Sequence, residues 1–148
     1  MNYGLISRIE SQEDVRGLLK VFNETWGAET LSELVTSLQE TECLIYHADN
    51  KVVGYLFYGH DIRDSEEFIE ITDIGVLEEC RGKGYGKKLV EFVCLISGDK
   101  PIKLSVKETN MPARHVYEKV GFKPTLTIQN YYGVGADGIR MEMVKTSN

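Results

Sequence analysis

Glycines alternate at positions 82, 84 and 86, with Arg81, Lys83, Lys87 and Lys88 among them and no acid between 81 and 90. Glycine lets a backbone approach a ligand closely and adopt conformations closed to other residues. The first amides of a helix lack internal partners and sit at the positive end of its dipole. A glycine turn that enters a helix among four cations therefore suits a phosphate. Two known loop types do not fit the residues. A G-x-x-x-x-G-K-[ST] loop would need glycine in place of Arg81 and a hydroxyl in place of Lys88. A G-x-G-x-x-G fingerprint would need glycine in place of Lys87 or Leu89. The competing reading is an ordinary strand-to-helix turn with solvated lysines.

The flanking pattern supplies both the strand and the helix. Leu5–Glu10 alternates as a short first strand. Ser11-x-x-Asp14 forms a capping-box start for a helix carrying Val15, Leu18, Leu19, Phe22 and Trp26. Thr30-x-x-Glu33 opens a second helix, with Leu31, Leu34, Val35 and Leu38 on one face. Cys43–Ala48 and Val52–Gly59 are rich in β-branched and aromatic residues, and Asp49-Asn50 between them tolerates a tight hairpin. A polar, acidic loop with Asp61, Asp64, Glu66 and Glu67 leads into the long strand Phe68–Leu77. After the glycine turn comes a helix with Leu89, Val93 and Ile96 facing inward. Ile102, Leu104 and Val106 alternate as a strand. Asn110 caps a helix presenting Ala113, Val116, Tyr117 and Val120, and Gly121 ends it. Leu126/Ile128 and Ile139/Met141/Met143 close the chain as two strands. The order βααβββαβαββ describes a mixed α/β sheet flanked by helices, one domain over residues 1–148.

Composition bounds the function. Seventeen basic against 23 acidic residues leave a net charge of −6, a poor balance for nucleic acid or an anionic membrane surface. Such a chain favours cationic or amine ligands weakly. Cys43, Cys80 and Cys94 show no pairing or metal-knuckle spacing, and His47 and His115 lack metal-ligand spacing. No metal is expected. The start MNYGLISRIE has no apolar signal-peptide core, and no apolar run is long enough to span a bilayer. A cytoplasmic protein is expected.

The turn R-x-x-G-x-G after a strand, followed by Asn110-x-x-Ala113-x-x-x-Tyr117-Glu-Lys-x-Gly121-Phe122, resembles the GNAT acetyltransferase superfamily. The likeness covers nearly the whole chain. It implies an N-acetyltransferase that uses acetyl-CoA as co-substrate and transfers the acetyl group directly in a ternary complex. The amides of Gly82, Lys83, Gly84, Tyr85, Gly86 and Lys87 would hold the pyrophosphate. Backbone groups of Ile74, Gly75 and Val76 would line the pantetheine arm and acetyl group, and Arg81 and Asn110 complete the cofactor-binding set. The resemblance also implies a bulge and splay of the strand near Ile74, which would free amides for an oxyanion.

Within that likeness Tyr117 matches the tyrosine that protonates the departing thiolate; packing in the core is its alternative. Glu70, eleven residues before Arg81, matches the glutamate of the histone-type enzymes that deprotonates the amine. Its flanks Phe68, Ile69 and Ile71 would desolvate it and raise its pKa. Asp73 and His60 are fallbacks for this base, and a solvent-facing Glu70 is the alternative.

The tail Asn130-Tyr131-Tyr132-Gly-x-Gly-x-Asp137-Gly-x-x-Met141 is similar to the closing hairpin of protein N-terminal acetyltransferases, including the ribosomal-protein alanine type. There the tyrosines cover a peptide entrance. The bacterial enzymes carry a glutamate twelve residues before the catalytic tyrosine, where this chain has Ser105. A small-molecule amine and a peptide N-terminus both stand as acceptors. The acidic stretch Asp61–Glu67 would attract a cation or is simply solvated. A non-catalytic acyl-CoA-binding regulatory module, or a nucleotide-binding one, would need neither Tyr117 nor a base. A homodimer is compatible with the superfamily, and no residue establishes it.

Overall fold

The computed structural model describes residues 5–27 and 31–145. Its elements are β1 (Ile6–Ser7), α1 (Gln12–Trp26), α2 (Leu31–Glu40), β2 (Glu42–Ala48), β3 (Lys51–Arg63), β4 (Glu66–Val76), α3 (Tyr85–Ile96), β5 (Ile102–Lys107), α4 (Met111–Val120), β6 (Lys123–Ile128) and β7 (Gly138–Met143). The expected order holds.

Ser11 starts α1 as its spacing predicts, its hydroxyl accepting the Asp14 N–H at 3.1 Å. The Asp14 carboxylate returns to the Glu10 N–H, at 2.9 Å, rather than to Ser11 itself. Thr30 lies outside the described residues. Of the four apolar residues expected to form the inner face of α2, only Leu34 is buried; Leu31, Val35 and Leu38 are exposed.

The strands form one sheet in the order β1-β2-β3-β4-β5-β7-β6. Every pairing is antiparallel except β4 with β5. Alternation sends successive β3 side chains to opposite faces. Tyr55 and Phe57 meet Phe22 of α1, whereas Gly54 faces Leu89 of α3. Tyr55, Leu56, Phe57, Phe68, Leu89 and Met141 are fully enclosed. Burying each such side chain contributes about 1.5–3 kcal/mol.

Asp49 and Asn50, at φ 52° and 62°, make the two-residue β2–β3 turn. The acidic loop expected after Gly59 is instead a second hairpin. β3 continues to Arg63, Asp64 and Ser65 turn at φ 52° and 66°, and β4 begins at Glu66. Residues 60–67 are exposed on both strands, so no apolar alternation marks them. Their charges pair instead: Asp61 with Arg63 at 3.5 Å, and Glu66 with Lys103 at 2.9 Å.

The sheet opens beside its parallel pair. β4 and β5 pair only from Ile69–Ile71 to Ile102–Leu104. Against β3, Phe57 opposes Asp73 and Tyr58 opposes Ile71, so Thr72 is a bulge. Beyond it β4 runs on to Val76 while β5 stays with β7 as far as Lys107. The bulge and splay implied by the resemblance are present.

Candidate active site

The glycine turn stands at the end of β4. Leu77 N–H donates to the Val53 carbonyl at 2.9 Å, and a single 3₁₀ turn at Glu78–Cys80 redirects the chain. Gly82 and Gly84 then adopt φ of 82° and 83°, the left-handed region that side chains disfavour. A Cβ on either would meet nothing within 4 Å. The backbone there favours glycine, and the space outside it is open. α3 begins with no side-chain cap and no acid in its first turn. Tyr85 is held by Tyr46 of β2, ring centroids 4.5 Å apart, and Arg81 Nε donates to the Val76 carbonyl at 3.3 Å.

A cleft of about 600 Å³ runs from this turn between the splayed end of β4 and α4. All the expected cofactor residues line it except Lys83 and Asn110. The Asn110 side chain is occupied as the α4 cap, accepting the Ala113 N–H at 3.3 Å. Thr25 of α1 and Tyr117 of α4 bound the same cleft.

Tyr117 is 7% exposed, its ring 5.9 Å from Phe122. Its hydroxyl makes no hydrogen bond among the described residues. Burial above all, then the nearby Asp73 and Tyr132, push its pKa up to about 12. The phenol keeps its proton at neutral pH and can give it to a stronger base.

The two β4 carboxylates have different surroundings. Glu70 is tied to Arg140, Oε2 to Nη2 at 2.8 Å, and Arg140 Nη1 also reaches the Ser105 hydroxyl at 3.2 Å. The place of the bacterial glutamate thus belongs to this ion-pair network. Asp73 Oδ2 accepts from the Tyr55 hydroxyl and the Trp26 indole N–H, each at 2.8 Å. Asp73 Oδ1 accepts the Ile74 N–H at 2.8 Å, so that amide, expected to be open to an oxyanion, is already engaged. No cation among the described residues pairs with Asp73, and burial raises its pKa against the three hydrogen bonds that lower it. Tyr55 is pushed above its usual range by burial and by this carboxylate.

His60 is exposed on the β3–β4 hairpin. Tyr131 and Tyr132 lie in the β6–β7 connection, their rings edge to face at 4.9 Å. That connection is internally fastened: Asp137 accepts the Asn130 N–H at 2.9 Å, and the Asn130 side chain accepts the Gly135 N–H at 2.8 Å. Among the described residues no group of histidine, cysteine or acids could hold a metal. Sequence reasoning missed Tyr55 and Arg140 and gave Trp26 only as an apolar residue at helical spacing on α1. Nothing in the spacing links Arg140 to Glu70, seventy residues away.

The model of the "Acetyltransferase (GNAT) family" matches residues 12–122. The chain belongs to the GNAT acetyltransferase family. An N-alpha-acetyltransferase of Saccharolobus solfataricus is 33% identical over 105 residues, covering 63% of each chain. The chain spans about three fifths of the curated relatives it matches first. Among solved structures, a GNAT family acetyltransferase from Bacillus cereus superposes with a TM-score of 0.80 at 22% identity, covering 96% of this chain and 97% of that one. An aminoglycoside 6'-N-acetyltransferase complexed with coenzyme A superposes at 0.77 with 17% identity, over 97% and 98% of the two chains. These likenesses establish the GNAT fold.

Proposed function

We propose that the protein is an acetyl-CoA-dependent N-acetyltransferase acting on a primary amine by direct transfer in a ternary complex. The supporting observation is one cleft bounded at one end by a helix start with no side-chain cap and at the other by a tyrosine hydroxyl with no hydrogen-bond partner among the described residues. The backbone from Gly82 to Lys87 would bind the pyrophosphate, with Arg81 beside it. Ile74, Gly75 and Val76 would line the pantetheine arm, and Asn110 would act only by placing α4. Acetyl-CoA supplies the activated thioester. Tyr117 gives its proton to the departing sulfur. One of the two β4 carboxylates, Glu70 or Asp73, removes the proton of the amine.

The acceptor classes are a peptide N-terminus and a small-molecule amine. The Tyr131-Tyr132 connection and the N-alpha-acetyltransferase likeness favour the peptide. The three free cysteines fit a reducing compartment such as the cytoplasm, and no described helix is long and apolar enough to cross a membrane. Calorimetry with CoA, followed by thiol release from acetyl-CoA over a panel of amines and N-terminal peptides, tests the reading. It requires both binding and turnover. Binding without turnover for any amine would leave an acyl-CoA-binding module.

A further inference from the structure

Resting on the acetyl-transfer reading, we infer that the acceptor enters as an ammonium ion against the carboxylate of Asp73, framed by Trp26 and Tyr55, and that Asp73 rather than Glu70 takes its proton. The substrate class is a primary amine with no carboxylate next to the amine, as in an amidated or peptide-linked residue and unlike a free amino acid.

The two carboxylates differ in what answers their charge. Glu70 has its cation built in, because Arg140 is 2.8 Å away and itself only 13% exposed. The Glu70 carboxylate is thereby engaged in an ion pair that also holds Arg140 against Ser105. Among the described residues Asp73 has three donors and no cation. A half-buried carboxylate without a counter-ion is costly unless a ligand supplies one. The indole of Trp26 is 56% exposed although its N–H is engaged. It offers a π-face beside the carboxylate, to which a cation is attracted.

The position agrees. Asp73 directly precedes Ile74 and Gly75, which line the cleft with Tyr117, and it lies within electrostatic reach of the Tyr117 hydroxyl. Among the described residues the ionisable groups that interact with it are Tyr55 of β3, by a hydrogen bond, and Tyr117 of α4, through space, with Tyr132 acting on Tyr117 in turn. All three are neutral at pH 7. Among the described residues no cation pairs with Asp73 itself, and the Arg140 guanidinium is held by Glu70 and Ser105, so a carboxylate next to the amine would be repelled by Asp73.

The step balances. One N–H bond of the ammonium breaks and its proton goes to Asp73. The freed lone pair forms a C–N bond at the thioester carbonyl as the C–S bond breaks. The sulfur takes the Tyr117 proton, and a second amine proton restores the phenol. Asp73 then releases its proton to water, so the products are the amide, CoA thiol and one proton.

The test is steady-state thiol release by wild type, Asp73→Asn, Glu70→Gln and Trp26→Phe. Alanine amide, an alanine-started peptide and free alanine serve as acceptors, with CoA affinity measured in parallel. Asp73→Asn should lower kcat/KM about 10²-fold or more with CoA affinity unchanged. Glu70→Gln should keep the ascending limb of the wild-type pH profile. Trp26→Phe removes one donor from an exposed side chain, so it should move that limb to higher pH without loss of fold. Alanine amide or the peptide should turn over and free alanine should not. An Asp73→Asn enzyme within about threefold of wild type, a limb unmoved by Trp26→Phe, or free alanine matching its amide would overturn the inference while the acetyltransferase reading stood. A wild type that neither binds CoA nor releases thiol with any amine would remove the acetyltransferase reading itself.

Discussion

Tyr117 offers the cleanest single-atom experiment in the molecule. Its hydroxyl has no hydrogen-bond partner among the described residues, so Tyr117→Phe removes a proton donor and leaves the packing against Phe122 intact. The expected result is a loss of about 10²-fold in kcat, with melting temperature and CoA affinity unchanged. A fully active phenylalanine variant would dismiss the tyrosine as acid. Asp73 makes the complementary prediction about stability. Its pKa is raised in the folded state, so the folded protein binds a proton more readily than the unfolded chain. Stability then falls as pH rises from the unfolded carboxylate's pKa, about 3.9, through the folded one, and stays reduced above it. Asp73→Asn, which cannot titrate, should therefore lose less stability than wild type between pH 3 and pH 7, although its NH2 must face a donor that the carboxylate accepts. Melting curves of both proteins across this range decide it, and parallel curves would mean the three donors fully offset the burial.

At the scale of elements, the glycine turn separates conformational need from space. Gly82→Ala and Gly84→Ala force a side chain into left-handed backbone, costing about 1–2 kcal/mol each. That corresponds to a melting-temperature drop of roughly 2–8 °C. Gly86 has no such φ, and a Cβ there would sit at 3.6 Å from Val76 and 3.7 Å from Ile74, ordinary contact distances. Gly86→Ala should melt within about 2 °C of wild type. Calorimetric CoA titration of the same three proteins reads the binding consequence. The element order was legible because its signals are local: Ser11 before α1, Asp49-Asn50 between β2 and β3, and Gly82 and Gly84 before α3. The hairpin tip was not. Strand residues exposed on both faces carry no period, so Asp61–Glu67 resembles a loop in sequence although β3 and β4 pair there. The inner face of α2 was over-read for a related reason. Periodicity reports an apolar stripe, not what covers it, and only Leu34 found the core. The site divides in the same way: the turn and Tyr117 lie in contiguous motifs, whereas Trp26, Tyr55 and Asp73 come from three elements and meet only through the fold.

For the whole molecule, the opening between β4 and β5 joins binding to stability. A ligand that enters it stabilises the folded state by mass action, about 2.7 kcal/mol at a concentration one hundred times its Kd. Acetyl-CoA at that level should raise the melting temperature by roughly 5–10 °C, and ATP at the same concentration should not. Equal shifts from both would point to a general nucleotide site. The β3–β4 hairpin carries a separate implication. β2 accompanies β3 no further than Tyr58, so from His60 to Arg63 the outer rim of β3 presents main-chain donors and acceptors with no neighbouring strand among the described residues. Such a rim is a template on which another copy could zip up. Asp61 and Arg63, both exposed, act as gatekeepers there. Replacing the pair with valines should turn a well-behaved solution into one that scatters light as concentration rises, with acetyl transfer per folded molecule unaffected.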